Sequence, residues 1–93
     1  MKIKILEYEK LFEIIRVELN KLDPLKIISS NKNLIDEYDF ENQKIISIFN
    51  DSNNYKLLAN RICVIFNEST KSNFSAKTFY DCAKNILEKF QNS

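Results

Sequence analysis

Glycine and histidine are both absent from this 93-residue chain, and so is tryptophan. Without glycine, neither the dinucleotide-binding fingerprint nor the P-loop can form, because both need glycine where the backbone approaches a phosphate. A glycine-dependent calcium loop is excluded for the same reason. Without histidine, the chain lacks the commonest general base and the commonest zinc ligand. These absences argue against an enzyme, and we expect no cofactor and no metal.

Cysteine is scarce too, and Cys63 and Cys82 are the two present. Two thiols do not make a metal site without other soft ligands, and each lies among apolar residues, so we expect buried free thiols. No apolar run is long enough to cross a membrane, and residues 1–6 lack the apolar stretch of a signal peptide. We therefore expect a cytoplasmic protein without membrane contacts.

Four segments show the apolar spacing of amphipathic helices, with apolar side chains recurring at alternating steps of three and four. They cover about residues 3–21, 39–50, 54–67 and 75–90. Asp23-Pro24 ends the first, because the residue before a proline is pushed out of the helical region. The pattern predicts an all-α fold, a small bundle of four amphipathic helices, in a single domain of residues 1–93.

The connector between the first two predicted helices, residues 25–38, breaks this pattern. Its apolar pairs Ile27-Ile28 and Leu34-Ile35 are expected to lie against the core. A connection of this length is long for a compact domain, and long connections are often functional. In the helix that follows, Phe40 is expected to face inward together with Ile45, Ile46 and Phe49. Because glycine is absent, turns with positive φ are expected to use Asn or Asp.

The strongest charge feature is an acidic cluster of Asp36, Glu37, Asp39 and Glu41. Residues 29–54 contain two basic and five acidic side chains, whereas residues 55–93 contain six basic and three acidic ones. Three interpretations of the cluster are open. Asp39 could cap the second helix while Glu41 complements its dipole. The cluster could instead form an acidic face that docks on a basic partner. It could also bind a divalent metal or do acid–base chemistry.

Tyr38 lies within this cluster but off the clear apolar stripe, so it is either half-buried or exposed at an interface. Direct nucleic-acid binding is not expected, because the net charge is only +1 and Arg16 and Arg61 are the two arginines present. Self-association through the stripe of the first helix is left open.

Two short motifs, Asp23-Pro24-Leu25 after the first helix and Asp36-Glu37-Tyr38-Asp39 at the second, occur together with Leu58-Ala59 and the apolar pattern of residues 62–66. Over about residues 15–90, this layout resembles a family of short, uncharacterised bacterial proteins with Trp-Asp-Pro-Leu followed by Asp-Glu-Tyr-Asp. The chain departs from that family at Leu22, where the family tends to have tryptophan, and it lacks the family's glycine after the proline. The resemblance implies a small all-helical fold and no established activity.

In size and charge the chain is also similar to the immunity proteins that bacteria pair with secreted toxin domains, including those of contact-dependent growth inhibition systems. That similarity implies a protein that binds a toxin domain, often a basic nuclease, and covers its active site. The hypothesis from sequence is therefore an immunity protein whose contact surface includes Asp36, Glu37, Tyr38, Asp39 and Glu41. The alternative is a cytoplasmic adaptor or regulatory protein of the helical family.

Overall fold

The computed structural model describes residues 5–26, 37–49 and 54–92, with side chains from residue 7 onward. Within these ranges the chain forms four α-helices, a 3-10 turn and no strand. The helices are α1 (Ile5–Leu22), α2 (Asp39–Phe49), α3 (Tyr55–Thr70) and α4 (Tyr80–Gln91), and the 3-10 turn Ala76–Phe79 leads directly into α4. The predicted all-α bundle is confirmed, and each helix begins or ends within a few residues of its predicted limits.

The helices are arranged in a ring, in which α1 packs against α2 and α4, and α3 packs against the same two helices. Asn42 contacts Phe12, whereas Asp39, earlier in α2, contacts Arg16, later in α1. The α1 and α2 helices therefore run in opposite directions. This arrangement brings the start of α2 beside the C-terminal half of α1.

The core is formed by apolar side chains from all four helices. Phe66 of α3 contacts aromatic rings on two sides, with its centroid 5.6 Å from that of Tyr38 and 5.4 Å from that of Phe79. Burying a large apolar side chain of this kind contributes about 1.5–3 kcal/mol. The fully buried members are Leu11, Ile15, Leu19, Tyr38, Ile45, Leu58, Ala59, Ile62, Phe66, Phe79, Ala83 and Ile86.

The two ends of α3 are capped by residues other than glycine. At its start, Asn54 Oδ1 accepts a hydrogen bond of 2.8 Å from the backbone N–H of Leu57, as in an N-cap. At its end, Lys71 adopts the left-handed conformation with φ of 54°. The side chain of Asn67 joins α3 to the loop that follows it by two hydrogen bonds. It accepts from the backbone N–H of Phe74 and donates to the carbonyl of the same residue.

Positive φ occurs at three positions in the described part of the chain, and the prediction that Asn or Asp would supply them is wrong for two. Asp23 has φ of 47°, as expected for this residue type, but Lys26 and Lys71 have φ of 60° and 54°. A lysine pays a steric cost in this region that glycine avoids. At these two turns lysine therefore adopts a conformation that its residue type does not favour.

The start of α4 also differs from expectation. The predicted helix begins at residue 75, but Ser75 precedes a 3-10 turn, and its side chain makes no capping hydrogen bond. Its carbonyl instead accepts from the N–H of Thr78, as the tighter turn requires. This turn places Phe79 in the core beside Phe66.

Phe40 is the clearest departure from the predicted core. It was expected to face inward, but 59% of its surface is exposed. The inward face of α2 is instead formed by Asn42, Ile45 and Phe49, which recur at helical spacing. Phe40 lies two residues before Asn42, about 200° away around the helix axis, so the rotation that buries Ile45 and Phe49 exposes Phe40.

The middle of the connector, including Ile27-Ile28, Leu34-Ile35 and Asp36, lies outside the described residues. The described ends of the connector are Asp23 to Lys26 and the turn at Glu37 and Tyr38. None of the helices in the described ranges has the length and apolar character that crossing a membrane requires.

Candidate functional site

The five residues predicted to form a contact surface lie in different environments at the start of α2. Glu37 is exposed, Asp39 is half-buried, and both Tyr38 and Glu41 are buried. Asp36 lies outside the described residues. Among the four that are described, Glu37 alone presents its side chain freely to solvent, so the acidic cluster does not form one continuous face.

Tyr38 is a core residue, with 1% of its surface exposed. Its hydroxyl donates a hydrogen bond of 2.5 Å to Asp23 Oδ1 and accepts one of 3.2 Å from the backbone N–H of Leu25. The expectation that Tyr38 is half-buried or exposed is therefore wrong, and its place on or near a contact surface stays a prediction. Its ring packs against that of Phe66, with the centroids 5.6 Å apart, just before α2 begins.

Asp39 is the first residue of α2, and both of its carboxylate oxygens are bonded to Arg16 of α1. Arg16 Nε donates to Asp39 Oδ1 at 3.0 Å, and Arg16 Nη2 donates to Asp39 Oδ2. The guanidinium also lies over the ring of Phe12, 5.3 Å from its centroid. Asp39 therefore joins α2 to α1, and its charge is neutralised within the fold.

Glu41 and Asn42 are buried in the first turns of α2. Asn42 Nδ2 donates a hydrogen bond of 2.9 Å to the carbonyl of Phe12, a second link between α2 and α1. Glu41 lies in the first turn, as predicted, where a carboxylate favours the positive end of the helix dipole. Asp39 was predicted as the cap before this helix, but it is the first residue within it, and its carboxylate is bonded to Arg16. Glu41 is 7% exposed, and its place on or near a contact surface stays a prediction.

The exposed surface at the start of α2 is formed by Glu37, Phe40 and Lys44, which we call the α2 face. The Lys44 ammonium lies 4.4 Å from the centroid of the Phe40 ring, a cation–π contact. Phe40 was not identified as a surface residue from the sequence, because its hydrophobicity led us to place it in the core. Helical periodicity could have found it, since Phe40 lies opposite the stripe of Ile45 and Phe49.

A second charged cluster joins α1 to α4. The carboxylate of Glu18, 2% exposed, accepts from Lys89 Nζ and, at 3.2 Å, from Asn85 Nδ2. Lys21 Nζ lies 3.8 Å away. Burial by itself raises the pKa of Glu18, but the hydrogen bonds and positive charges of these neighbours outweigh it, so the pKa lies below its ordinary value.

Cys63 and Cys82 are buried free thiols, as predicted. Burial, together with the nearby carboxylate of Glu18, raises the pKa of Cys82 to about 12. Because the thiolate is the reactive form, Cys82 is unsuited to nucleophilic chemistry at neutral pH. Over residues 5–26, 37–49 and 54–92, no three Cys, Asp or Glu side chains are grouped so that they could hold a metal ion.

Comparison of the chain with protein-family models, with curated proteins and with solved structures found no match.

Proposed function

We propose that the protein is an immunity protein, which binds a cognate bacterial toxin domain in the cytoplasm and neutralises it by stoichiometric contact. The observation that supports this most directly is the exposure of Phe40, three residues after the exposed Glu37 in the sequence. The α2 face then replaces the wider acidic cluster as the centre of the contact surface, with Asp36 adjoining it in sequence.

Phe40 has the character of an interface anchor. A large aromatic side chain loses unfavourable contact with water when a partner covers it, and a few such residues supply most of the binding energy of an interface. Fixed within a helix, its ring loses little conformational freedom on binding.

The α2 face has one exposed carboxylate, that of Glu37, which favours a basic partner, while Lys44 over the Phe40 ring supplies the opposite charge. Glu37 is exposed, whereas the charge of Asp39 is already paired with Arg16. Exposed carboxylates at the edge of an interface accelerate encounter with a positively charged surface and select against acidic partners. Many nuclease domains are basic because they bind phosphates, so a nuclease toxin is the partner class we propose.

The test is to produce the chain together with the toxin domain encoded beside its gene and to measure growth. We expect growth to be restored, and we expect the two purified proteins to form a 1:1 complex by calorimetry. Phe40→Ala should weaken binding by about tenfold or more. Tyr8→Ala is the matched control, because Tyr8 is an exposed aromatic residue on α1, and it should leave the affinity nearly unchanged.

Two results would overturn this proposal. One is full toxicity in the presence of the folded chain, and the other is equal binding by the Phe40→Ala and wild-type proteins. The adaptor hypothesis makes a different prediction, since an adaptor gene need not lie beside a toxin gene. Gene neighbourhood therefore separates the two classes before any protein is made.

A further inference from the structure

A shallow apolar groove of about 280 Å³ lies between α2 and α3. It is lined by Ile48, Asn60, Arg61, Val64 and Ile65. Val64 is 53% exposed, although valine is normally found inside proteins. Four large apolar side chains of the described residues are exposed, and Phe40 of α2 and Val64 of α3 are two of them.

The lining of this groove contains one cationic side chain, Arg61, and no acidic one. Arg61 makes no ion pair with the described residues, and its guanidinium donates only a long hydrogen bond of 3.5 Å to the carbonyl of Ile48. Lys44, one turn before Ile48 on α2, is exposed with its ammonium over Phe40. A guanidinium beside an apolar surface is well placed to pair with a carboxylate of a bound chain.

The groove between α1 and α4 offers a useful comparison, because it is larger, about 420 Å³, and also contains an exposed valine, Val17. Its charges are different, however. Lys89 is already bonded to Glu18, and Glu13 adds a carboxylate to the lining. Lys10 is a further, exposed cation in the lining of the α1–α4 groove, so the two grooves differ in that the α2–α3 lining has a cationic side chain and no acidic one.

We propose that the α2–α3 groove binds an amphipathic helix of a partner protein, with aliphatic side chains against Ile48, Val64 and Ile65 and an acidic residue paired with Arg61. Two adjacent helices with an apolar groove between them match the helix-in-groove mode of recognition. A nucleic acid fits less well, because most protein contacts to nucleic acids are made to phosphates by several cationic groups, and this lining has one. The inference does not depend on the partner being a toxin.

The test uses a capped synthetic peptide designed as an amphipathic helix, with leucines on one face and glutamates flanking them. A second peptide has lysine at each glutamate position. We expect the acidic peptide to shift the amide resonances of Ile48, Val64 and Ile65 in a saturable way in NMR titrations of the full chain. It should bind about tenfold more tightly than the basic peptide. Equal binding of both peptides, or shifts centred on Val17, would overturn the proposal.

Substitutions at several positions test the proposal in the same titrations, so that the result does not depend on one variant. Arg61→Glu should abolish the preference for the acidic peptide or reverse it, and Val64→Ala should weaken both peptides. Val17→Ala is the matched control in the α1–α4 groove and should change neither affinity. Thermal unfolding of each variant establishes that it is folded. If Arg61→Glu fails to fold, Arg61→Gln supplies the same comparison, and an unchanged preference in a folded variant would contradict the proposed pairing.

Discussion

The hydroxyl of Tyr38 lies 2.5 Å from Oδ1 of Asp23 and joins the two ends of the connector between α1 and α2. Asp23 itself adopts φ of 47°, and its backbone N–H donates to the carbonyl of Leu19 at the end of α1. The same hydroxyl accepts from the N–H of Leu25. A buried phenol therefore holds the turn after α1 against the start of α2, through residues that belong to the two short motifs noted in the sequence.

Tyr38→Phe should reduce the free energy of unfolding by about 1.5–3 kcal/mol, because a buried carboxylate loses its phenolic donor and a backbone N–H loses its acceptor. The measurement is the urea midpoint followed by circular dichroism. Tyr80→Phe is the matched control, because Tyr80 is half-buried with its ring against Tyr55, and it should change stability by less than about 0.5 kcal/mol. Equal effects of the two substitutions would contradict the role assigned to the Tyr38 hydroxyl.

Glu37 and Asp39 lie two residues apart, but we expect substitution of Asp39 to affect stability and substitution of Glu37 to affect binding. Asp39→Asn weakens the paired contact with Arg16 and should lower stability by about 0.5–1 kcal/mol. Glu37→Gln should leave stability unchanged, because the side chain is exposed, and should slow association with a basic partner. Urea unfolding and stopped-flow association rates at low salt measure the two effects. A loss of stability in Glu37→Gln as large as that in Asp39→Asn would contradict this assignment.

Glu18 should contribute to acid unfolding. Its pKa in the folded state lies below the ordinary value of 4.5, so the carboxylate stabilises the fold at pH values above 4.5. That stabilisation is lost as the pH falls below 4.5 through the folded-state pKa. At pH 7, Glu18→Gln should lower stability by about 1 kcal/mol, because charge-assisted hydrogen bonds become neutral ones.

The difference between Glu18→Gln and wild type should shrink as the pH falls toward 3, and urea midpoints across this range measure it. Glu13→Gln, an exposed position on the same helix, serves as the control and should show no such convergence. A pH-independent difference between Glu18→Gln and wild type would indicate that the side chain acts through packing and not through its charge.

Cys82 should be protected from alkylation in the folded protein. With its pKa raised from 9.0 to about 12, the thiolate fraction near pH 8 falls about a thousandfold relative to an ordinary cysteine. In the Cys63→Ser variant, where Cys82 is the remaining cysteine, we expect iodoacetamide to react only as the protein unfolds. Mass spectrometry follows the reaction, and the same variant in urea gives the unprotected rate. Equal rates in buffer and in urea would contradict the burial of this thiol.

The raised pKa of Cys82 also has a consequence for stability at high pH. The neutral thiol is favoured in the folded state, so its contribution is fully present below pH 9 and is lost as the pH rises from 9 toward 12. Cys82→Ala should therefore flatten the alkaline part of the stability profile. The urea midpoint at pH 8 and pH 10.5 measures this effect against wild type.

The helices could be predicted from the sequence because their signals are local. The apolar spacing of residues 54–67 and 75–90, the Asp23-Pro24 stop and the polar turn before Asn54 each act within a few residues along the chain. The limits of the helices were less accurate. The α3 helix continues to Thr70, and α4 is preceded by a 3-10 turn, because loop contacts such as those of Asn67 with Phe74 decide where a helix ends.

The sequence indicated the start of α2 as a candidate site but did not show which of its side chains are exposed. An acidic cluster in sequence does not show which carboxylates already have partners, and the partner of Asp39 is 23 residues away in α1. Phe40 was placed in the core by its hydrophobicity, although periodicity places it on the opposite face. The pairing of Asp39 with Arg16 depends on how α2 packs against α1, which no local pattern specifies.

The amino-acid sequence was sufficient to establish that this is a helical chain without glycine-dependent phosphate loops or histidine chemistry, because composition and periodicity act locally. Tertiary structure decided what the residues at the start of α2 do. It placed Tyr38 against Asp23, paired Asp39 with Arg16 and left Glu37 and Phe40 on the surface. The physical reason is that burial and ion pairing join residues far apart in the chain, and only the packed arrangement of the helices brings them together.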